Sequence, residues 1–155
     1  ALHAFLKEAD APVLDVGCGT GLSGLALRLA GFTVIDGVDP SAEMLEQARS
    51  KQAYRTLSVI APDDPLPKGY AAITAVGVIG VGAAPVSVLD KMIQAVDPGG
   101  LLVFSFNDHT LSDAAYTDRL ARHVDAGRVV ELFCEHGPHI PERDLNANVY
   151  ALEIQ

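Results

Sequence analysis

The residues best suited to hold a ligand lie at positions 13–24, VLDVGCGTGLSG. Four glycines fall within eight residues, directly after a short apolar run that carries one acid. Glycine allows sharp turns with positive φ and lets a ligand approach the main chain closely. The helical pattern that follows would present free N–H groups and partial positive charge at its first turn. The spacing therefore predicts a loop that binds a ligand through its backbone.

The glycines of this loop fit two templates at once. Gly17, Gly19 and Gly21 make G-x-G-x-G, which suggests an S-adenosylmethionine site. Gly19, Gly21 and Gly24 make G-x-G-x-x-G, which suggests a dinucleotide site. Counted from Gly17, which directly follows the apolar run, the sixth position is Leu22, so the dinucleotide spacing fails in that register. A nicotinamide oxidoreductase is the alternative in the register that begins two residues later.

Two aspartates separate these templates further. Asp15 precedes Gly17 by two residues, where a carboxylate suits an ammonium group, directly or through water, better than a pyrophosphate. Asp39 follows Gly17 by 22 residues and can accept hydrogen bonds from ribose hydroxyls. Both cofactors contain ribose, so Asp39 supports nucleoside binding without choosing between them. We assign Asp36, which precedes Gly37, to a strand irregularity.

Apolar patterning predicts the elements that position these residues. Strands are expected at 13–16, 33–38, 57–61, 72–76, 101–106, 128–133 and 149–154, and helices at 22–30, from Ser41 through 48, at 88–96 and at 112–126. This alternation implies a doubly wound α/β fold with a mostly parallel, seven-stranded, Rossmann-like sheet. The connection at 134–147 is polar and holds two prolines, which predicts an antiparallel strand at the sheet edge.

Several motifs together resemble the class I S-adenosylmethionine-dependent methyltransferases. VLDVGCGTG followed by GVDPSAEMLEQAR carries the resemblance, and AAITAVGVIGVG and AVDPGGLLVFSF are similar to the fourth motif and fifth strand of that family. The resemblance covers nearly the whole chain and implies one methyltransferase domain over residues 1–155. Within the family, LSVIAPDDPLP and the VG turn at 76–77 are similar to the methyltransferase-like branch represented in the Williams–Beuren region, which brings no established substrate.

The resemblance implies S-adenosyl-L-methionine as cofactor, S-adenosyl-L-homocysteine as product, and a role for particular residues. Asp15, Gly17, Gly19 and Gly21 would shape the methionine-binding loop, with Cys18 as a small space-filling side chain. Asp39 would bind the ribose, and Pro40 and Met44 would lie against the adenine. Ala61, Pro62, Asp63 and Asp64 form the turn that would read the adenine edge, with Asp63 accepting from the adenine amino group, and Val76 would lie in the turn after the fourth strand. Met44 as ordinary core and Asp63 as a solvated turn acid stay open as alternatives.

The acceptor side of the reaction carries weaker signals. His109, after the fifth predicted strand, is the candidate catalytic base, with a loop or capping role as the alternative. Ala71 stands where the family commonly has an acid, and the turn GVGAAP lacks the usual His. These departures motivate a second hypothesis, a non-catalytic cofactor-binding or partner-regulating module. His136 and His139 lack further matched ligands, so no metal site is expected.

Composition limits the partners of the chain. Twenty acidic residues against eleven Lys and Arg give a formal charge of −9, a poor match for nucleic acid or an anionic membrane. No run of about 20 apolar residues is present to span a bilayer. Two distant cysteines favour a reducing cytoplasm, and the missing initial Met leads us to expect further N-terminal residues. We expect a small-molecule acceptor; the sequence does not indicate an oligomeric state.

Overall fold

The computed structural model describes residues 1–140 and 145–155, and the side chains of these apart from positions 139 and 140. The strands are β1 Val13–Val16, β2 Ile35–Asp39, β3 Thr56–Val59, β4 Ala72–Ala75, β5 Leu101–Asn107, β6 Val129–Ile140 and β7 Leu145–Ile154. The helices are α1 Leu2–Phe5, α2 Leu22–Leu29, α3 Ala42–Ser50, α4 Ser87–Ala95, α5 Asp108–Leu111 and α6 Ala114–Asp125.

One seven-stranded sheet organises the described residues, with strand order β3-β2-β1-β4-β5-β7-β6. Neighbouring strands are parallel from β3 to β5, whereas β7 runs antiparallel to both β5 and β6. The predicted doubly wound α/β fold with an antiparallel edge is thereby confirmed. The strand order reverses between β1 and β4, and ligands of such sheets bind beyond the carboxyl ends of the strands at that point.

Apolar side chains cover both faces of the sheet, which explains why β1 and β4 are buried along their whole length and are mostly apolar. One face carries the larger core, in which Leu14, Ile73, Leu102 and Phe104 are fully buried. The other face packs α1 and α2 over a smaller core that includes Phe32. None of the described helices is long and apolar enough to cross a membrane.

Local signals fix the helix ends near the glycine loop. The Ser41 hydroxyl accepts from the backbone N–H of Met44 at 3.3 Å, so Ser41 caps α3 as predicted. Gly31 follows α2 with φ +101°, a conformation that favours glycine. Two helices of four residues each, α1 and α5, are too short for a periodic pattern and were not predicted.

The edge hairpin differs from the prediction in its extent. Residues expected in a polar connection are paired strand, with Cys134 opposite Tyr150 and His136 opposite Asn148. The arms of the hairpin are half-exposed here, so burial imposes no apolar alternation that could reveal them. Of the two histidines weighed as metal ligands, His136 lies on β6, whereas the side chain of His139 lies outside the described residues.

Candidate cofactor site

The loop between β1 and α2 needs glycine at the three positions of the G-x-G-x-G template. Gly17, Gly19 and Gly21 have φ values of +66°, +52° and +90°, which side-chain-bearing residues rarely adopt. The N–H groups of Gly17 and Cys18 both donate to the carbonyl of Val38, at 2.8 and 3.2 Å. These bonds anchor the loop to the end of β2, so the loop and the second strand form one rigid corner.

Gly24 serves packing rather than a ligand. Its N–H donates to the hydroxyl of Tyr54 at 3.0 Å, and a Cβ at this position would overlap the tyrosine ring. Gly37 on β2 also leaves room for this ring, since a Cβ there would lie 2.9 Å from it. The G-x-G-x-x-G spacing of Gly19, Gly21 and Gly24 therefore arises because the ring of Tyr54 needs the space beside Gly24. Sequence reasoning missed this residue, although a glycine inside a helical pattern was a signal of close packing.

Asp15 lies behind the loop, where only 1% of its surface is exposed. Its carboxylate accepts from the hydroxyls of Ser23 at 2.5 Å, Tyr54 at 2.7 Å and Thr74 at 3.1 Å. Burial raises the pKa of Asp15, although these hydrogen bonds oppose the rise. Asp15 thus joins β1, α2, β4 and the connection between α3 and β3, which stiffens the corner. Its predicted contact with an ammonium group stays a prediction.

The two ionisable neighbours of Asp15 are held neutral. Burial, followed by the charges of Asp15 and Asp39, raises the pKa of the Cys18 thiol to about 12. Burial and the Asp15 carboxylate also raise the pKa of Tyr54. A thiol protonated at neutral pH is a poor nucleophile. This chemistry agrees with the space-filling role expected for Cys18.

Asp39 ends β2 and faces a cavity of about 450 Å³ at the carboxyl edge of the sheet. Oδ2 accepts from the N–H of Gly19 at 2.9 Å, and Oδ1 accepts from the N–H of Ser41 at 2.8 Å. Each carboxylate oxygen has two lone-pair sites, so both can accept a second hydrogen bond. Asp39 therefore fixes the glycine loop and still offers acceptors to a ligand in this cavity, which we call the Asp39 cavity.

The remaining wall of the Asp39 cavity is mostly apolar. Predicted residues that line it are Gly17, Gly19, Asp39, Pro40, Met44, Ala61 and Pro62. Met44 is 45% exposed, so it presents its thioether to the cavity rather than serving as core. An apolar wall with a few polar groups is typical of ligand sites.

At the turn after β3, Asp64 lines the cavity and Asp63 does not. The Asp64 carboxylate accepts from the N–H of Ala61 at 3.0 Å, and the Lys91 ammonium donates to the carbonyl of Pro62. Lys91 thereby ties this turn to α4. The predicted turn included Asp64, but Asp63 was the acid expected to face the ligand, because a turn between prolines carries no periodicity to set which side chain points inward. The sequence prediction missed Lys91.

A second cavity, of about 640 Å³, lies on the other side of the glycine loop. Cys18 and Val76 line it, and Gly17 and Gly19 line both cavities. We call it the α1–α2 cavity, because residues of α1 and α2 form its walls. Asp15 and Gly21 line neither cavity and act behind the loop.

His109 is exposed on α5 and lines neither of these cavities. Its backbone carbonyl accepts from the hydroxyl of Ser112 at 2.9 Å. The structure does not bring this candidate base to the two cavities.

Asp36 corrects a different expectation, since it lies in the regular part of β2 opposite Leu14 and Thr56. It accepts from the guanidinium of Arg55, from the N–H of Thr56 and from the hydroxyl of Tyr70. It is a structural carboxylate rather than a strand irregularity.

The residues around the Asp39 cavity fit a nucleoside. The ribose would find a carboxylate with free lone pairs, and the base would find an apolar shelf. A Cβ at Gly19 would lie 3.8 Å from the Met44 sulfur, across the space that the ligand would use. A Cβ at Gly17 would overlap the side chain of Val78, so the loop packs closely against the cavity wall.

Comparisons with known proteins agree with a cofactor-binding role for this chain. A family model described as "Methyltransferase domain" matches residues 1–149. Methyltransferase-like protein 27 of Homo sapiens is 34% identical over 120 residues, which are 75% of this chain and 48% of that protein. A ubiquinone biosynthesis O-methyltransferase of Pseudomonas putida (strain W619) is 33% identical over 104 residues, 63% of this chain and 44% of the enzyme. The chain spans about half the length of the curated relatives that it matches.

Among solved structures, the fold is similar to that of magnesium protoporphyrin IX methyltransferase from Synechocystis PCC 6803 with bound S-adenosylhomocysteine. The TM-score is 0.73 at 17% sequence identity, and the match covers 94% of this chain and 75% of that chain. At this identity the likeness supports the fold alone.

Proposed function

The chain belongs to the class I S-adenosylmethionine-dependent methyltransferases, and from this premise we propose that it transfers a methyl group from S-adenosylmethionine to a small-molecule acceptor. The observation that carries the proposal is Asp39, which anchors Gly19 and faces the cavity at the switch point of the sheet. We propose that residues 1–155 act as one domain.

We propose that the Asp39 cavity holds the adenosine part of the cofactor. The Asp39 carboxylate would accept from the ribose hydroxyls, and Pro40 and Met44 would lie against the adenine. Ala61, Pro62 and Asp64 would border the adenine edge. The methionine tail would end beside Gly17 and Gly19, where the glycine loop borders the second cavity.

When bound, the cofactor supplies a methyl group attached to a sulfonium sulfur. The sulfur keeps the electron pair of the broken S–C bond, so the leaving group is a neutral thioether. The acceptor contributes the electron pair of the new bond and loses its proton to solvent or to a base. What the chain must supply is orientation, worth roughly 7–11 kcal/mol in well-arranged cases. The rigid corner built by Asp15, Asp39 and Tyr54 suits that task.

Two observations support a small acceptor. The formal charge of −9 disfavours nucleic acid. Relatives include a protein named as an O-methyltransferase of ubiquinone biosynthesis. We propose oxygen as the acceptor atom to test first.

We also propose a cytoplasmic location. A reducing cytoplasm suits the free thiols of Cys18 and Cys134.

The test combines calorimetric titration of S-adenosylhomocysteine with transfer of a radioactive methyl group into a metabolite extract. Binding together with a labelled product supports the proposal. Binding of S-adenosylhomocysteine without transfer of the radioactive methyl group into any extract favours the non-catalytic module instead. A folded sample that does not bind S-adenosylhomocysteine overturns the assignment.

A further inference from the structure

We infer that the α1–α2 cavity is the acceptor site and that it takes an uncharged, largely apolar molecule. This inference rests on the proposed methyl transfer and adds the chemical class of the acceptor.

Position is the first argument. Gly17 and Gly19 line both cavities, so only the glycine loop separates the α1–α2 cavity from the Asp39 cavity. A molecule bound in the α1–α2 cavity would border the methionine end of a cofactor whose adenosine lies beside Asp39. A volume of about 640 Å³ is in the range of small-molecule sites.

The lining excludes charge as the basis of recognition. Among the described residues that line this cavity, no Asp, Glu, Lys or Arg is present. His3 is the exception with a titratable ring nitrogen, and its ring packs edge-on against Phe32 with centroids 6.2 Å apart. Ala1, which carries the α-amino group of this chain, also lines the cavity, but a charged acceptor would lose hydration here without gaining an opposite charge from any Asp, Glu, Lys or Arg side chain, which is costly.

Two polar side chains of the lining, Ser23 and Thr74, are already engaged. The hydroxyls of Ser23 and Thr74 donate to the buried Asp15 carboxylate. They keep acceptor lone pairs, so a neutral hydroxyl on the acceptor can still donate to them. The cavity therefore favours a neutral molecule with few polar groups.

Apolar side chains surround the remaining space. Val103 and Val149 form the floor on the sheet, and Leu27 and Phe32 form part of the wall. Leu22 and Val76 also line the cavity, although they are 69% and 50% exposed. Exposed apolar side chains grouped around a cavity mark a surface that a ligand can cover.

The test uses 2-naphthol and 2-naphthoate, which have the same ring system but differ in charge at pH 7. Each is titrated by calorimetry into the 155-residue chain, acetylated at the α-amino group of Ala1 so that no ammonium borders the cavity and saturated with S-adenosylhomocysteine so that the Asp39 cavity is filled. We expect 2-naphthol to bind at least tenfold more tightly than 2-naphthoate.

Two tryptophan variants locate the binding. Ala26 lines the cavity from an exposed position on α2, so Ala26→Trp should fill the space and weaken 2-naphthol binding at least tenfold. The matched control, Ala121→Trp, lies on the exposed face of α6 and should leave it unchanged. Both variants should bind S-adenosylhomocysteine within twofold of the wild type.

The outcomes separate the two proposals. If S-adenosylhomocysteine does not bind the folded chain, the proposed function fails. If it binds but 2-naphthol does not, or 2-naphthoate binds equally well, the acceptor class is wrong. If Ala26→Trp leaves 2-naphthol binding intact, the location of the acceptor site is wrong.

Discussion

Two buried carboxylates, Asp15 on β1 and Asp39 at the end of the neighbouring strand β2, have different surroundings. The Asp15 carboxylate accepts hydrogen bonds from three side-chain hydroxyls and lines neither cavity. The Asp39 carboxylate accepts hydrogen bonds from two backbone N–H groups and lines the Asp39 cavity. At the scale of the residue, Asp15 therefore holds the loop in shape, whereas Asp39 both holds the loop and has free lone pairs for a ligand.

Replacing Asp39 with Ala should weaken S-adenosylhomocysteine binding by roughly 1.5–3 kcal/mol, because a charged acceptor is lost. This loss corresponds to an affinity roughly 10- to 150-fold lower, measured by calorimetry. Asp63→Ala is the control, since Asp63 lies on the same edge but does not line the cavity. An Asp39→Ala variant of unchanged affinity would remove this residue from the site.

Replacing Tyr54 with Phe should lower the free energy of unfolding by about 1–3 kcal/mol, because the part-buried N–H of Gly24 loses its acceptor and Asp15 loses a donor. Urea denaturation measures this loss. Tyr116→Phe is the control, a half-buried tyrosine whose hydroxyl makes no hydrogen bond to the described residues. Equal stability of the two variants would contradict the role assigned to the Tyr54 hydroxyl.

At the scale of the element, Asp36 joins three consecutive strands. It lies on β2, accepts from Arg55 and Thr56 at the start of β3, and accepts from Tyr70 just before β4. Burial raises the pKa of its carboxyl, but these hydrogen bonds and the Arg55 charge outweigh burial and lower the pKa to about 2. The contacts fix where β3 and β4 begin.

This depressed pKa predicts a pH dependence of stability. A carboxylate with a lowered folded-state pKa contributes stability that is present above its unfolded pKa, near 3.8, and is lost as pH falls toward 2. Urea midpoints of the wild type should therefore fall between pH 4 and pH 2 more steeply than those of Asp36→Asn. Asp97→Asn, in the exposed turn after α4, is the control and should follow the wild type. Parallel curves for wild type and Asp36→Asn would refute the linkage.

At the scale of the whole molecule, both cavities open beside the reversal of strand order between β1 and β4. A ligand there contacts residues of several strands, the glycine loop and the turn after β3 at the same time. Binding should consequently stabilise the native fold as a unit, because the unfolded chain lacks this arrangement.

S-adenosylhomocysteine at a hundredfold excess over its Kd should add about 2.7 kcal/mol of stability. For a domain of this size, that increment raises Tm by roughly 5–11 °C. Differential scanning fluorimetry measures the shift, and NADH at the same concentration should produce none. A shift with NADH and none with S-adenosylhomocysteine would restore the oxidoreductase alternative.

Local signals predicted much of this fold and site. The Ser41 cap, the end of α2 at Gly31 and the glycine loop each depend on a few adjacent residues, so sequence reasoning found them. The antiparallel pairing of the last two strands was predicted, but their extension into residues 134–140 and 145–148 was missed because these half-exposed arms carry no apolar period. Asp63 was chosen over Asp64 because a turn between prolines gives no periodicity to indicate which side chain faces inward.

The sequence by itself determined the order of strands and helices, the positive-φ loop and the acid at the end of β2, because each is encoded in short-range preferences of the backbone. Only the tertiary structure decided that Gly24 makes room for Tyr54 and that Asp15 turns away from the cavities. The physical reason is separation along the chain: Asp15 meets Tyr54 across 39 residues and Thr74 across 59. Packing of distant elements selects such contacts, and no local pattern contains them.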